Sequence, residues 1–285
     1  MLASATLFGV MAISIRYASV QLHPFEIAFF RCLFGALFAL PLLRVHGLEI
    51  LRTRHLGFYL VRCGIGTISM MCAFWALVHL PLAQAVALSY STPLFVTIGA
   101  VVALGEVVRM RRWSAVVIGF IGVIIIVRPT ATDFSGAALV ALFAAFLSGM
   151  VTISIKYLSR IDPPDRIVLL TTLLWVPLSL PAALTVWEWP DANIWPWLVL
   201  CGALGTGGHY CWTRALKMAE ASALAPLSYL QLLVVGFLAW ALFGETVDNY
   251  TVIGAAVVIS ASLYIARREA RVAKQAVIGK SKPQI

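Results

Sequence analysis

Apolar runs of about 20 residues, each long enough to cross a bilayer as a helix, follow one another along almost the whole chain. They read as 2–20, 24–43, 56–78, 83–104, 113–128, 135–158, 166–186, 194–214, 222–243 and 251–267. Helices are the predicted form, because hydrocarbon cannot satisfy open backbone groups and the runs are too long for barrel strands. The links between them are short and often carry proline, as at His23-Pro24, Leu80-Pro81, Arg128-Pro129 and Asp162-Pro163-Pro164. Trp113, Trp187, Trp189, Trp195, Trp197 and Tyr250 stand at run ends, where amphipathic rings favour the headgroup layer. The first run lacks the basic leader of a secretory signal and has a partner in the sixth, so it reads as a span.

The runs repeat. Met11-Ala12-Ile13-Ser14-Ile15-Arg16-Tyr17-Ala18-Ser19 returns as Val151-Thr152-Ile153-Ser154-Ile155-Lys156-Tyr157-Leu158-Ser159, at an offset of 140. Cys63-Gly64 returns as Cys201-Gly202, Gly66-Thr67 as Gly205-Thr206, Leu88-Ser89-Tyr90 as Leu227-Ser228-Tyr229 and Gly105-Glu106 as Gly244-Glu245, at offsets of 138, 139, 139 and 139. One ancestral unit of about 140 residues accounts for all of them. Val117-Ile118-Gly119 matches Val252-Ile253-Gly254 at 135, which requires a shorter loop in the second copy. A unit that crosses five times leaves its copy upside down. The predicted fold class is therefore all-α integral membrane, with ten transmembrane helices as two inverted five-helix repeats around a central cavity. The copies are 1–128 and 135–268, followed by a basic tail, 269–285. Transporters build a cargo site where such repeats meet.

Composition agrees: hydrophobic residues are 61% and charged residues 12%, about half the charge of a soluble domain. Mean hydropathy is +0.94. The few charges fix the orientation. With an even number of spans both termini share a side, and 17 of the 21 lysines and arginines fall there, with Arg128 opposite and Arg16, Arg31 and Arg62 in or near spans. Basic loops face the cytoplasm, so both termini are predicted cytoplasmic, in a bacterial-type inner membrane. The net charge of +9 follows from topology and does not imply nucleic acid. The tail reads as a lipid-facing basic segment.

Catalytic chemistry is missing. Gly279-Lys280-Ser281 resembles the end of a phosphate loop, but Lys274 stands where its first glycine is required. There is no H-E-x-x-H, no G-x-S-x-G and no pair of intramembrane aspartates. Cys32, Cys63, Cys72, Cys201 and Cys211 have no metal spacing and read as small buried apolar groups. Neither enzyme, cofactor nor metal site is expected. No carboxylate falls in the middle of a run; Glu26 lies near the outer face, and Glu106 and Glu245 lie at run ends. A carrier of organic cations, or one driven by protonating a buried carboxylate, normally needs such a group. Its absence argues against both, although Glu26 and the histidines leave a proton route open.

The third and eighth runs are the least regular. Cys63-Gly64-Ile65-Gly66-Thr67 leads into Met70-Met71-Cys72-Ala73-Phe74-Trp75, and Cys201-Gly202 through Gly208 leads into His209-Tyr210-Cys211-Trp212. Such glycines allow close helix packing or expose backbone to a ligand. His209 either bonds a neighbouring helix or lines a cavity. The fourth and ninth runs add Tyr90, Tyr229 and Gln231, polar groups that need partners or water at mid-membrane. Candidate cargo contacts are Tyr90, His209, Tyr210, Tyr229 and Gln231, with Trp75 and Trp212 as aromatic walls. Pro93 and Pro226 read as kinks, either static or gating. Arg16 and Lys156 are expected to reach the interface. Arg31 and Arg62 lie deeper; each can pair with Glu26 or helix-end carbonyls, or meet a cargo carboxylate, with the structural reading preferred for Arg62. Glu26 and Arg31 are held as charge-relay or structural residues. Trp175 and Trp240 read as lipid-facing or core.

The duplicated unit, Pro24 with Arg31, Pro81-Leu82-Ala83-Gln84-Ala85, Pro93 and Gly105-Glu106 resemble the EamA-type repeats of the drug/metabolite transporter superfamily, over residues 1–268. Within it the chain looks most like the YddG-type bacterial exporters of aromatic and other amino acids. That resemblance implies ten helices around a cavity lined by the third, fourth, eighth and ninth runs. The second copy departs from the pattern, with Leu232 at the counterpart of Pro93 and Thr171 opposite Arg31. The expected function is export of small zwitterionic metabolites, amino acids above all, by alternating access. The partners are cargo and the lipid bilayer, and a monomer suffices. Multidrug or nucleotide-sugar-like carriage is the alternative within transport, with a channel or an intramembrane enzyme outside it.

Overall fold

The computed structural model describes residues 2–104, 110–128, 135–158, 161–218 and 229–280, and every regular element among them is helical. In chain order these are α1 (Leu2–Ala18), α2 (Pro24–His46), a 3-10 turn (Leu48–Leu51), α3 (Leu56–His79), α4 (Leu82–Ser89), α5 (Thr92–Leu104) and α6 (Met110–Val127). The second half follows with α7 (Gly136–Leu158), α8 (Pro164–Leu184), α9 (Trp195–Met218), α10 (Leu230–Phe243) and α11 (Asn249–Lys280). Pro24 and Pro164 open α2 and α8 at equivalent repeat positions, where a missing N–H costs nothing. Gly47 and Gly244 close α2 and α10 at φ of 69° and 67°, a conformation that only glycine adopts readily.

Six described segments are long and apolar enough to cross a membrane: Pro24–Pro41, Leu56–His79, Leu82–Gly99, Gly136–Ile155, Asp165–Leu184 and Asn249–Arg267. Leu2–Ala18, Trp113–Val127 and Leu230–Phe243 are shorter apolar helices. Helix α9 has 24 residues yet is not among the six, because its glycines, His209 and Tyr210 dilute its hydropathy. Large apolar side chains such as Val117, Ile121, Phe143 and Phe237 stand exposed, as lipid contact would require.

The run expected as one helix over 83–104 is broken. Helix α4 ends at Tyr90, and the N–H and hydroxyl of Ser91 both donate to the Leu88 carbonyl, at 3.0 and 2.7 Å. Pro93 therefore sits in the first turn of α5 and starts a helix, where the expectation was a kink within one. The counterpart expectation for Pro226 lies outside the described residues. Prolines inside helices are Pro41 in α2 and Pro177 and Pro181 in α8.

The packing partners map onto one another when the halves are exchanged. Helix α1 packs along α9 and α10, and its repeat partner α7 packs along α3 and α5. Helix α2 meets α8, and α6 meets α11, each pair consisting of repeat partners. One buried cluster, from Leu88 and Leu94 to Val123 and Val258, joins α4, α5, α6, α7 and α11. Another, from Ile15 and Ile27 to Phe74 and Cys201, joins α1, α2, α3, α8 and α9. The exchange is imperfect around α2: it packs along α9 more extensively than α8 packs along α3, and against α3 more than α8 against α9. There Gly35 of α2 lets Gly202 of α9 approach, whereas its repeat counterpart in α8 is Trp175, which lies against Gly66 of α3.

Candidate functional site

Helices α2, α3, α8 and α9 converge on a group of cationic and aromatic side chains. Arg31 projects from α2 and is only 6% exposed. Its Nη1 donates to Met70 Sδ at 3.4 Å, a weak acceptor. Its guanidinium carbon lies 5.1 Å from the centre of the Trp175 ring. Gly205 makes room for it, since a methyl group there would lie 2.7 Å from Arg31 Nε. One turn further along α9, His209 meets Phe8 edge-on at 5.2 Å and Trp175 at 5.9 Å between ring centres. His209 is half-buried.

Arg62 enters the same region from α3 and is 5% exposed. Its Nη1 donates to Thr171 Oγ1 at 2.5 Å, and Thr171 lies one helical turn before Trp175. Of the alternatives open to these arginines, pairing with Glu26 is not what the geometry gives. Glu26 Oε2 accepts instead from the Glu188 N–H at 3.3 Å, at the far end of α8. Among the described residues the ion pairs are Arg16–Glu245, Arg128–Asp248 and Arg166–Asp162. Neither Arg31 nor Arg62 belongs to one.

The tyrosines form a second group. Tyr90 and Tyr229 meet edge-to-face at 4.8 Å, where α4 ends and α10 begins, and Ser262 Oγ donates to the Tyr90 carbonyl at 3.3 Å. Trp75 stacks on His79 at 4.0 Å between ring centres, towards the end of α3. Tyr210 lies beneath the Arg214 guanidinium at 4.8 Å. Gln231 and Trp212 are half-buried. The geometry thus brings His209 together with Trp175, which the sequence reads as lipid-facing or core, and with Phe8, which the sequence does not single out. The signal of Trp175 in the sequence is indirect: Thr171 and Trp175 depart from their counterparts Arg31 and Gly35.

Both ends of the bundle are tied. At one, Arg16 donates to the carbonyls of Val78 and Leu80 at 2.5 and 2.7 Å and pairs with Glu245 at 2.7 Å, while Glu245 Oε2 accepts from the Leu82 N–H at 2.8 Å. Beside it a cleft of about 710 Å³ is lined by Gln21, His23, His79, Trp187 and Glu188 among others. Burial, with His79 nearby, lowers the His23 pKa from its ordinary value. At the other end Arg166 donates to Asp162 Oδ1 at 2.7 Å and to the Ile50 carbonyl at 2.9 Å. Tyr59 and Thr53 donate to Asp162 Oδ2 at 3.1 and 3.3 Å. Burial works against the Asp162 charge, but the hydrogen bonds from Arg166, Tyr59 and Thr53 outweigh it and hold the carboxyl below its usual range. Asp248 is likewise lowered, with burial opposed by the Thr251 and Arg128 contacts.

Comparison with known proteins gives the function class. The model of the EamA-like transporter family matches residues 1–128 and again 135–267. A riboflavin transporter of Vibrio cholerae is 31% identical, covering 95% of this chain and 93% of that protein. An S-adenosylmethionine uptake transporter of Rickettsia bellii is 30% identical over 88% of this chain and 86% of its own length. A pseudopaline exporter of Pseudomonas aeruginosa is 28% identical over 93% and 94%. One solved crystal structure superposes with a TM-score of 0.61 at 21% identity, over 93% of this chain and 98% of that one, a likeness of fold alone. The chain belongs to the EamA-like transporter family: it is a multi-pass membrane transporter of small metabolites and not an enzyme.

Proposed function

From that membership we propose that the protein is an inner-membrane exporter of small zwitterionic metabolites, amino acids foremost. It works by alternating access between two inverted five-span copies, with α4 and α5 together making the fourth span and both termini in the cytoplasm. The observation that carries this reading is the exchange of helix pairings: α1 on α9 and α10 corresponds to α7 on α3 and α5. Two halves built on one packing plan but facing opposite ways can each adopt the other's arrangement, which opens a midplane site to either side in turn. His209, Tyr90, Tyr229, Tyr210 and Gln231 supply hydrogen-bonding tips along that path, Trp75 and Trp212 its aromatic walls.

A second reading is a carrier of fused-ring metabolites. It is favoured by the relatives named riboflavin transporters, which match nearly the whole chain, and by the ring group of Phe8, Trp175 and His209. Counterflow in proteoliposomes separates the two. Vesicles loaded with unlabelled tryptophan or leucine should accelerate entry of the labelled amino acid, with saturation, and riboflavin should compete weakly. Riboflavin counterflow without any amino-acid counterflow selects the second reading, and flux without saturation or counterflow removes both.

A further inference from the structure

We propose that Arg31, Arg62 and Trp175 form an oxyanion subsite, which binds the carboxylate or phosphate group of the transported molecule. This rests on the carrier reading above and specifies the chemistry of its cargo.

The case begins with what these residues lack. Five buried side-chain nitrogen or oxygen atoms among the described residues have no hydrogen-bond partner: Arg16 Nε, Glu26 Oε1, Arg31 Nε, Arg62 Nε and Trp175 Nε1. Three of the five fall at the junction of α2, α3 and α8, and all three are donors. A donor-only set is completed by a group rich in acceptors. Both guanidiniums are more than nine-tenths buried, and an arginine cannot escape burial by losing its proton. A buried charge without a counter-charge is strongly unfavourable unless something supplies one. Within a membrane, such a residue marks a ligand path before it marks a scaffold.

The three donors lie close together. The Arg31 guanidinium stands 5.1 Å from the Trp175 ring. Gly66, one turn along α3 from Arg62, is the glycine against which Trp175 Nε1 rests, where an added methyl would lie at 3.2 Å. Arg62 is fixed by Thr171, one turn along α8 from Trp175. Where Trp175 replaces the glycine that draws α2 against α9, α8 packs less extensively along α3, and a methyl on Gly64 of α3 would meet no described heavy atom within 4 Å. A planar oxyanion meeting the Nε–H edges of two guanidiniums matches their fork geometry. The indole N–H and ring then hold the oxyanion or a flat group attached to it.

The test uses the full-length purified protein in nanodiscs, titrated with sodium benzoate, phenylphosphonate and the neutral benzamide. Tryptophan emission and thermal midpoint are the readouts. The expected result is that an anion raises the midpoint and changes the emission, whereas benzamide does neither; the stronger of the two anions identifies carboxylate or phosphate. Arg31→Gln and Arg62→Gln should each weaken the response about tenfold or more, Arg31→Lys should recover part of it, and Trp175→Phe should lose the emission change. An equal response to benzamide, no response in the wild type, or undiminished response in both glutamine variants overturns the subsite. If the glutamine variants do not fold, the anion-against-benzamide contrast in the wild type and in Arg31→Lys decides the matter. Amino-acid counterflow without anion binding removes the subsite and leaves the carrier. Anion binding without amino-acid counterflow keeps the subsite and removes the amino-acid reading.

Discussion

The two halves of the chain agree in their frame and differ at their centre. Ser4 Oγ of α1 donates to the Gly208 carbonyl of α9 at 2.9 Å; at the equivalent contact of α3 with α7, Ser69 Oγ donates to the Ala144 carbonyl at 2.9 Å. Ser4 and Ala144 are 140 apart and Ser69 and Gly208 are 139 apart, so one helix contact is stapled twice with the hydroxyl on opposite partners. Gly9 against Val234 corresponds in the same way to Gly149 against Phe95. At the junction of α2, α3, α8 and α9 the correspondence stops. Arg31 faces Thr171 in the repeat, Arg62 faces Leu200, and Trp175 faces Gly35. Alternating access needs equivalent frames, since each half must take the other's conformation. Cargo recognition needs no such equivalence, because one molecule has one polarity. On the proposed alternating-access reading, the charge at this junction falls in the first copy, as Arg31 and Arg62, while the frame is kept in both.

The loops at the two ends show the same rule with reversed sign. Glu26 and Arg166 are repeat counterparts, each in the first turn of its helix. Glu26 accepts from a backbone N–H of the α8–α9 link, while Arg166 donates to a backbone carbonyl of the α2–α3 link. The grip is the same and the charge is opposite. An arginine at the end predicted to be cytoplasmic fits the lysine and arginine bias of the loops, to which acids contribute little.

The sharpest way to break the comparison is at Gly202 and its counterpart Gly64. A methyl on Gly202 would lie 2.4 Å from Phe34 Cβ and 2.9 Å from the Gly35 backbone nitrogen, neither of which can give way. A methyl on Gly64 would meet no described heavy atom within 4 Å. Gly202→Ala should cost near the upper end of the about 1–3 kcal/mol typical of overpacking, read as a lower thermal midpoint and a poorer monodisperse yield. Gly64→Ala should be neutral or stabilise by up to about 1 kcal/mol through helix propensity. Equal losses in both would mean that α8 packs against α3 as tightly as α2 against α9.

This contrast also marks how far the fold and the candidate site were legible in the chain. The apolar runs and repeat offsets carry the helix order and which helices are counterparts, because small residues at matching positions survive in both copies; which helices pack together is not legible from them. The break at Tyr90 was hidden inside an unbroken apolar run, since hydropathy does not register where serine hydroxyls turn back on their own helix. Pro93 was legible as a landmark but misread as a kink, because a proline at a helix start and one in its middle differ only in where the helix begins. Trp175 looked like any membrane tryptophan. Its importance lies in the glycine opposite it, which one copy alone cannot reveal. The mismatch of Arg31 with Thr171 is visible as a departure from symmetry at the junction of α2, α3, α8 and α9.

A second, smaller effect tests the reversed grips. Asp162 supports Arg166, and its carboxyl lies below the usual range. A depressed folded value means that its stabilisation is present above the unfolded value of about 3.9 and is lost as pH falls through the folded one. Asp162→Asn should cost about 1.5 kcal/mol at neutral pH, the low end for a charged hydrogen bond because Arg166 is partly exposed. The gap between variant and wild type should close as the pH is lowered below 4. The Asp248 pair at the opposite end, with side chains 35% and 47% exposed, should contribute less and fade in salt. Melting curves across pH and salt measure both; a gap that persists unchanged in acid would separate the Asp162 effect from its charge.

The smallest expected effect is the most direct test of the shared frame. Ser4→Ala and Ser69→Ala each remove one hydroxyl that reaches a carbonyl on a neighbouring helix, at the same place in the two copies. Each should cost about 0.5–1 kcal/mol, the ordinary net worth of such a bond, because the carbonyl left behind keeps its own helical partner. Ser69 also meets Ser148 Oγ at 2.8 Å, so its loss should fall at the upper end of that range and that of Ser4 at the lower. The contacts lie in different helix pairs with no shared partner, so the double variant should show the sum of the two. In transport the symmetry predicts something more specific than loss. If α1–α9 and α7–α3 exchange roles as the carrier turns over, the two variants should shift the balance between inward- and outward-open forms in opposite directions. Accessibility of a single cysteine introduced at Gln84, in an otherwise cysteine-free chain, reads that balance from one side. Shifts of the same sign in both variants would mean that the staples only hold helices together and take no part in the exchange.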